Sequence, residues 1–227
     1  KSMDTRDCAF EVYITNLGKY NEGQLIGEWV KFPTNNEDLH AVLRRIGIDR
    51  HYEEWFITDY DCDNKVLYEV FGEYESLSEL NYLAHQILDM PESAELWESA
   101  LEMGDDTGSV KDLINLTANL DCFDFLPDVN DHEDLGYYWI EESGCYDTGA
   151  MGNLSNYIDY ERFGRDIAMD ESGLFTEHGY IRHTGDSFTE IYNSDIEDIP
   201  DEYRLFRIES QQEKSFMQKD KLKDMER

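Results

Sequence analysis

The chain has 227 residues, 52 acidic and 19 basic, for a formal net charge of −33, and 40% of its residues are apolar. Acidity gives disorder when hydrophobicity is low, but 15 Tyr, 11 Phe and 4 Trp are enough for packed cores. No apolar run approaches the roughly 20 residues of a membrane span, and no basic-then-apolar leader opens the chain. A negative chain is also repelled by anionic lipid, so a cytoplasmic protein with no membrane contact is expected.

The first 70 residues predict a small α/β unit. Phe10 to Thr15 (FEVYIT) and Leu25 to Phe32 (LIGEWVKF) have strand composition, with Asn21-Glu22-Gly23 as turn chemistry between them. Asn35 or Asn36 caps a helix carrying Leu39, Val42, Leu43 and Ile46 before Gly47. Trp55 to Tyr60 is a third strand. The middle is helical and acidic. Ser76-Leu77-Ser78-Glu79 is a capping box followed by Leu80, Leu83, Ala84, Ile87 and Leu88 on one face. Pro91 opens a second helix towards Gly104, and Ser109 a third with Leu113, Ile114, Leu116 and Leu120 facing inward.

A third unit starts near Asn119. Asn130 or Asp131 caps a helix carrying Leu135, Tyr138, Trp139 and Glu142, ended by Gly144. A helix is expected over Leu154 to Ile167. A hairpin is expected between Tyr180–Arg182 and Phe188–Tyr192, with Gly185 in its turn. From Ser194 the composition becomes mixed in charge. The expected fold class is therefore α+β: an N-terminal α+β domain (9–74), an acidic, mainly α-helical domain (75–118), a C-terminal α+β domain (119–193) and a tail (194–227).

Charge is distributed unevenly. Between Val66 and Glu161 there are 23 acidic residues and one basic residue, Lys111. Self-repulsion on this scale opposes compaction, so such a surface calls for a function. Its natural partner is strongly basic, and basic surfaces commonly bind nucleic acid. Within the block, Glu92, Glu95, Glu98 and Glu102 recur at spacings of three, three and four, forming one helical stripe. At helical rise these carboxylates lie about 4.5–6 Å apart along the axis, near the spacing of about 3.4 Å between phosphates on one DNA strand. A plain solvated face explains any one stripe; repetition across three segments favours the functional explanation.

Catalytic, cofactor and metal signatures are weak. Cys8, Cys62, Cys122 and Cys145 form no CxxC pair, and the six histidines form no HExxH cluster. Asp59-Tyr60-Asp61-Cys62-Asp63 opens like an EF-hand loop, but Asn64 replaces the required Gly and Val70 the closing Glu. No nucleophile-elbow or phosphate-loop pattern occurs. The expectation is a non-enzyme with no cofactor and no metal ligands. Tyr137-Tyr138-Trp139 fits either a core cluster or an interface between copies.

Three segments, VYITNLGKYNEGQLIGEW (Val12 to Trp29), YYWIEESG (Tyr137 to Gly144) and NYIDYERFGRDI (Asn156 to Ile167), together resemble the ArdA antirestriction proteins. The resemblance runs from about Phe10 to Tyr192. It implies an elongated homodimer of small domains that mimics bent duplex DNA. Such a mimic occupies the DNA-binding groove formed by the specificity and modification subunits of type I restriction-modification enzymes, and is carried on mobile elements. YYWIEESG with its lead-in Asp131 to Asp134 resembles the family's antirestriction motif, near the dimer contact; Tyr138, Glu141, Glu142 and Gly144 match it best. The expected partner-binding surface is then Glu92, Glu95, Glu98, Glu102, Asp131, Glu133, Asp134, Glu141 and Glu142. Candidates for the dimer contact are Leu135, Tyr138 and Trp139. Nucleic acid itself is not an expected partner. The alternatives are an acidic module for another basic, nucleic-acid-binding partner, or a surface adapted to salt.

Overall fold

The computed structural model describes residues 8–205, a mixed α+β chain with two small antiparallel sheets. It divides into two compact units, one built from the stretch up to Asp89 together with the return from Tyr192, the other from Met90–Ile191. The helices expected to form a separate middle domain are divided between these units. Among the described residues no helix is long and apolar enough to cross a membrane.

In the first unit, β1 (Phe10–Asn16) lies between β2 (Gly27–Phe32) and β3 (Trp55–Asp61), antiparallel to both. β1 has both edges paired, and along it buried Phe10, Val12 and Ile14 alternate with half-buried Glu11 and Tyr13, so one face packs on the core, with burial extending to Thr15 and Asn16 at its end. Between β1 and β2 the chain forms an unforeseen short helix, α1 (Leu17–Asn21), because the Asn16 side chain accepts from Lys19 N at 3.0 Å. Asn35 rather than Asn36 caps α2 (Asn36–Arg45), whose Leu39, Val42 and Leu43 face inward as expected. A second unforeseen helix, α3 (Lys65–Val70), is capped by Asn64, the residue that breaks the calcium-loop pattern. Ser76 caps α4 (Leu77–Leu88), and Leu80, Leu83 and Ala84 on it are fully buried.

The return segment is held to α4 by polar side chains. Asn81 donates to Tyr203 O at 2.9 Å, Ser78 exchanges hydrogen bonds with the Leu205 backbone, and the Tyr192 hydroxyl donates to Glu79 at 2.8 Å. Residues 194–205 of the expected tail are thus ordered against the first unit. The remainder of that tail lies outside the described residues.

The second unit holds α5 (Ala94–Met103), α6 (Val110–Thr117), β4 (Phe123–Leu126), α7 (His132–Tyr137), α8 (Tyr160–Glu171), β5 (Leu174–Thr176) and β6 (Gly179–His183). Its sheet has the order β4-β6-β5. Pro91–Ser93 is a 3-10 turn, so Glu92 precedes α5 rather than lying on it, and Leu120 belongs to a 3-10 turn after α6. Ser109 caps α6 by accepting from Asp112 N at 3.2 Å.

Two expectations in this unit are corrected. The helix expected over Leu154 to Ile167 begins at Tyr160, because Asp159 accepts from Arg162 N at 3.0 Å and caps it there. Residues Thr148–Tyr157 form a kinked 3-10 stretch instead. The hairpin expected across Gly185 is replaced by one across Glu177-His178, in which β6 pairs with β5 and, on its other edge, with β4. Gly179 makes that turn possible. It has φ +141, and a Cβ there would meet Leu126 O at 2.4 Å. The segment expected to pair across Gly185 is held by side chains: Asn119 bonds both backbone groups of Thr189, and Asn115 accepts from Ile191 N at 2.8 Å.

Candidate functional site

The motif Tyr137 to Gly144 sits where α7 ends, on a base made by α8. Asp131 caps α7, accepting from Asp134 N at 2.9 Å, and Asp134 in turn accepts from Asn130 N at 3.1 Å. Two of the lead-in carboxylates therefore define the helix start, where negative charge is also favoured by the helix dipole. Glu133 is exposed.

α7 and α8 approach to backbone contact. A Cβ on Gly136 would lie 1.9 Å from Tyr160 O, and one on Gly164 would lie 1.8 Å from His132 O. Both separations are far inside contact distance, so only glycine fits at either position. This close crossing fixes the motif against the unit's core.

After Tyr137 the helix widens into a π turn, Tyr138–Glu142, closed by Ser143 N donating to Tyr138 O at 2.8 Å. A regular helix, at about 100° per residue, sets Glu142 on the same face as Leu135. The extra residue in a π turn rotates everything beyond it by one position. Ile140 thereby becomes buried and Glu142 exposed. The helix expected to carry Leu135, Tyr138, Trp139 and Glu142 as far as Gly144 is corrected accordingly: it is α-helical only to Tyr137 and continues as the π turn.

The inward side of this segment is fully used. Leu135 is 0% exposed in a core cluster with Val129, Ala168 and Tyr180, and Tyr138 and Trp139 pack against that cluster. Leu135 is therefore unavailable to a second copy, a correction to its expected role. Trp139 lies beneath the Arg182 guanidinium, 5.3 Å from the ring centroid, and Arg182 also bridges Asp124 at 2.7 Å and Glu171 at 2.5 Å. Burial, with Glu171 accepting from its hydroxyl, pushes the Tyr180 phenol well above its usual range.

Outward, Glu141 and Glu142 have different surroundings. Glu141 accepts from the Tyr160 hydroxyl at 2.6 Å and from Thr148 at 3.0 Å, and its contact with Tyr160 raises that phenol's pKa. Apolar groups lie exposed on the stretch that follows, with Leu154 at 70% and Tyr157 at 83%.

On α5 the expected stripe is only partly free. Glu92, Glu95 and Glu102 are exposed, whereas Glu98 is half-buried, its Oε2 2.7 Å from His178 Nε2. Sequence reasoning missed His178, since only the β5–β6 turn brings it to α5.

The second unit as a whole carries 24 acidic and four basic residues, a net of −20. Twenty of those 24 acidic residues are exposed. Three of the four basic side chains are engaged by carboxylates within the unit: Lys111 with Glu190 at 2.9 Å, Arg165 with Glu161 at 2.6 Å, and Arg182 as above. The positive charges thus do little to break the negative surface.

No curated protein matches the chain. The antirestriction protein family ArdA matches residues 12–182, which spans both sheets and the whole motif. The chain belongs to the ArdA family of antirestriction proteins.

Proposed function

We propose that this protein acts as a mimic of duplex DNA, occupying the DNA-binding groove of type I restriction-modification enzymes and so blocking restriction, with modification exposed to the same competition. The observation that carries this reading is the second unit's surface, with twenty exposed acidic residues. A groove that neutralises phosphates with Lys and Arg releases counterions on binding DNA, and a carboxylate surface offers it the same exchange. Spread at the charge density of duplex DNA, about one per 1.7 Å, the chain's net charge corresponds to about 16 base pairs. Catalysis has no place in this scheme. We further propose a homodimer whose contact involves Tyr138, Trp139 and the exposed apolar stretch around Leu154 and Tyr157, which would double the mimic's length.

The test is competition for a purified type I methyltransferase core between this protein and a labelled duplex. Mutual exclusion, with affinity falling steeply as salt rises, is the expected result. Simultaneous binding of protein and duplex rejects mimicry, and leaves an acidic module acting on another basic surface as the alternative.

A further inference from the structure

We propose that Glu98, Glu177 and His178 form a binding site for a single divalent transition-metal ion of the zinc type. The three residues offer one imidazole nitrogen and two carboxylate oxygens, all within 4.8 Å of one another. They come from two elements, Glu98 from α5 and the other two from the β5–β6 turn. A Ser99–Thr176 hydrogen bond of 2.8 Å joins these elements one residue away from Glu98 and from Glu177. Thr176 Oγ1 also accepts from His178 N at 3.2 Å and donates to Gly179 O at 3.0 Å, which sets the turn. The cluster is therefore positioned by contacts other than its own, as a binding site requires.

The state of His178 is the independent observation. Its Nε2 atom is buried and makes no aligned hydrogen bond among the described residues, although Glu98 Oε2 lies 2.7 Å away and Glu177 Oε1 3.4 Å away. A buried ring nitrogen beside two carboxylates, yet off the line of a hydrogen bond to either, is a polar group whose bonding capacity the protein leaves unfilled. Tetrahedral zinc with bonds of about 2.0–2.2 Å places neighbouring donor atoms about 3.4 Å apart. The His178–Glu177 separation already has that value; Glu98 needs only a small rotation of its carboxylate.

Ligand type selects the ion. Magnesium and calcium take all-oxygen shells, whereas an imidazole with carboxylates suits zinc and its neighbours. Three protein ligands leave a fourth position open, facing solvent on the side of Glu177, whose side chain is 78% exposed.

Titration calorimetry of the full chain with Zn2+, in excess Mg2+ to saturate diffuse association with the acidic surface, tests this. One Zn2+ per chain is expected, with affinity at least tenfold weaker in each of His178→Gln, Glu98→Gln and Glu177→Gln. Glu177 lies in an exposed turn, so its variant decides the matter if either of the others fails to fold by circular dichroism. Co2+ should bind without the near-ultraviolet band of a thiolate ligand. Absence of saturable binding above the Mg2+ background, binding unchanged in the variants that fold, or a thiolate band would each overturn the proposal.

Discussion

Glu141 illustrates how one carboxylate of the motif differs from the many around it. Both of its oxygens accept hydrogen bonds, from the Tyr160 and Thr148 hydroxyls, so its geometry is set by α8 and by the stretch after the motif. The Tyr160 phenol donates to a charged acceptor, which favours its protonated form and raises its pKa. A group whose folded pKa is raised contributes stability that is fully present below its unfolded value and is lost as pH rises through the folded one. The contact is thus intact at neutral pH and disappears only under alkaline conditions. In an NMR titration of ring-labelled tyrosine, Tyr160 should titrate above the usual tyrosine range, and Glu141→Gln should bring it back. An unchanged titration in that variant would mean that the contact does not form in solution. Neighbouring Glu142, exposed by the π turn, should leave Tyr160 unaffected when changed to Gln.

Elements were legible in the sequence wherever their ends are set by a local side chain. Ser76, Ser109 and Asp131 each accept from the backbone three residues on, and the helices they open begin where the capping pattern puts them. The same chemistry misled at Leu154, because the capping Asp159 lies inside a polar, glycine-bearing stretch with no apolar period to mark it. β4 and β5, at four and three residues, are too short to show alternation, and the β5–β6 pairing depends on Gly179 meeting the end of β4. The π turn left no periodic trace, so the faces of Glu142 and Ile140 were unreadable. The glycines of α7 and α8 were equally silent, since their role exists only across the pair. That role is testable: Gly164→Ala forces a Cβ against the His132 carbonyl and should cost about 3 kcal/mol in chemical denaturation. Gly108→Ala, where a Cβ meets Asp112 at 3.5 Å, should stay within about 1 kcal/mol. Equal effects at the two positions would refute the close crossing. Glu92→Gln, just before α5, and Glu95→Gln and Glu102→Gln, on it, should each weaken inhibition by about fivefold or less, because exposed charges contribute about 0–1 kcal/mol each. All three together should weaken it by about tenfold. Abolition by one change, with the fold intact, would point to a specific contact instead of distributed charge.

At the scale of the whole molecule, charge must act in opposite directions on two kinds of association. Binding to a basic groove gains from the net charge of −33, while pairing of two copies is opposed by it. A dimer therefore needs an apolar contact, and Leu135 cannot supply one from within its own core. Exposed Leu154 and Tyr157 can, on the stretch directly after the motif. Salt screens the repulsion between copies with a Debye length falling from about 30 Å at 0.01 M to about 8 Å at 0.15 M, and leaves apolar burial intact. It also weakens partner binding, because each counterion released gains less entropy as the bulk salt concentration rises. Sedimentation should thus show the dimer tightening with added salt over the range in which the restriction enzyme is bound less well. Tyr157→Asp should loosen the dimer by tenfold or more while leaving the circular dichroism spectrum unchanged, since that side chain is 83% exposed and has no core to disrupt. A chain that stays monomeric at every salt concentration, yet inhibits fully, would confine the mimic to one copy and remove the need for a two-fold contact.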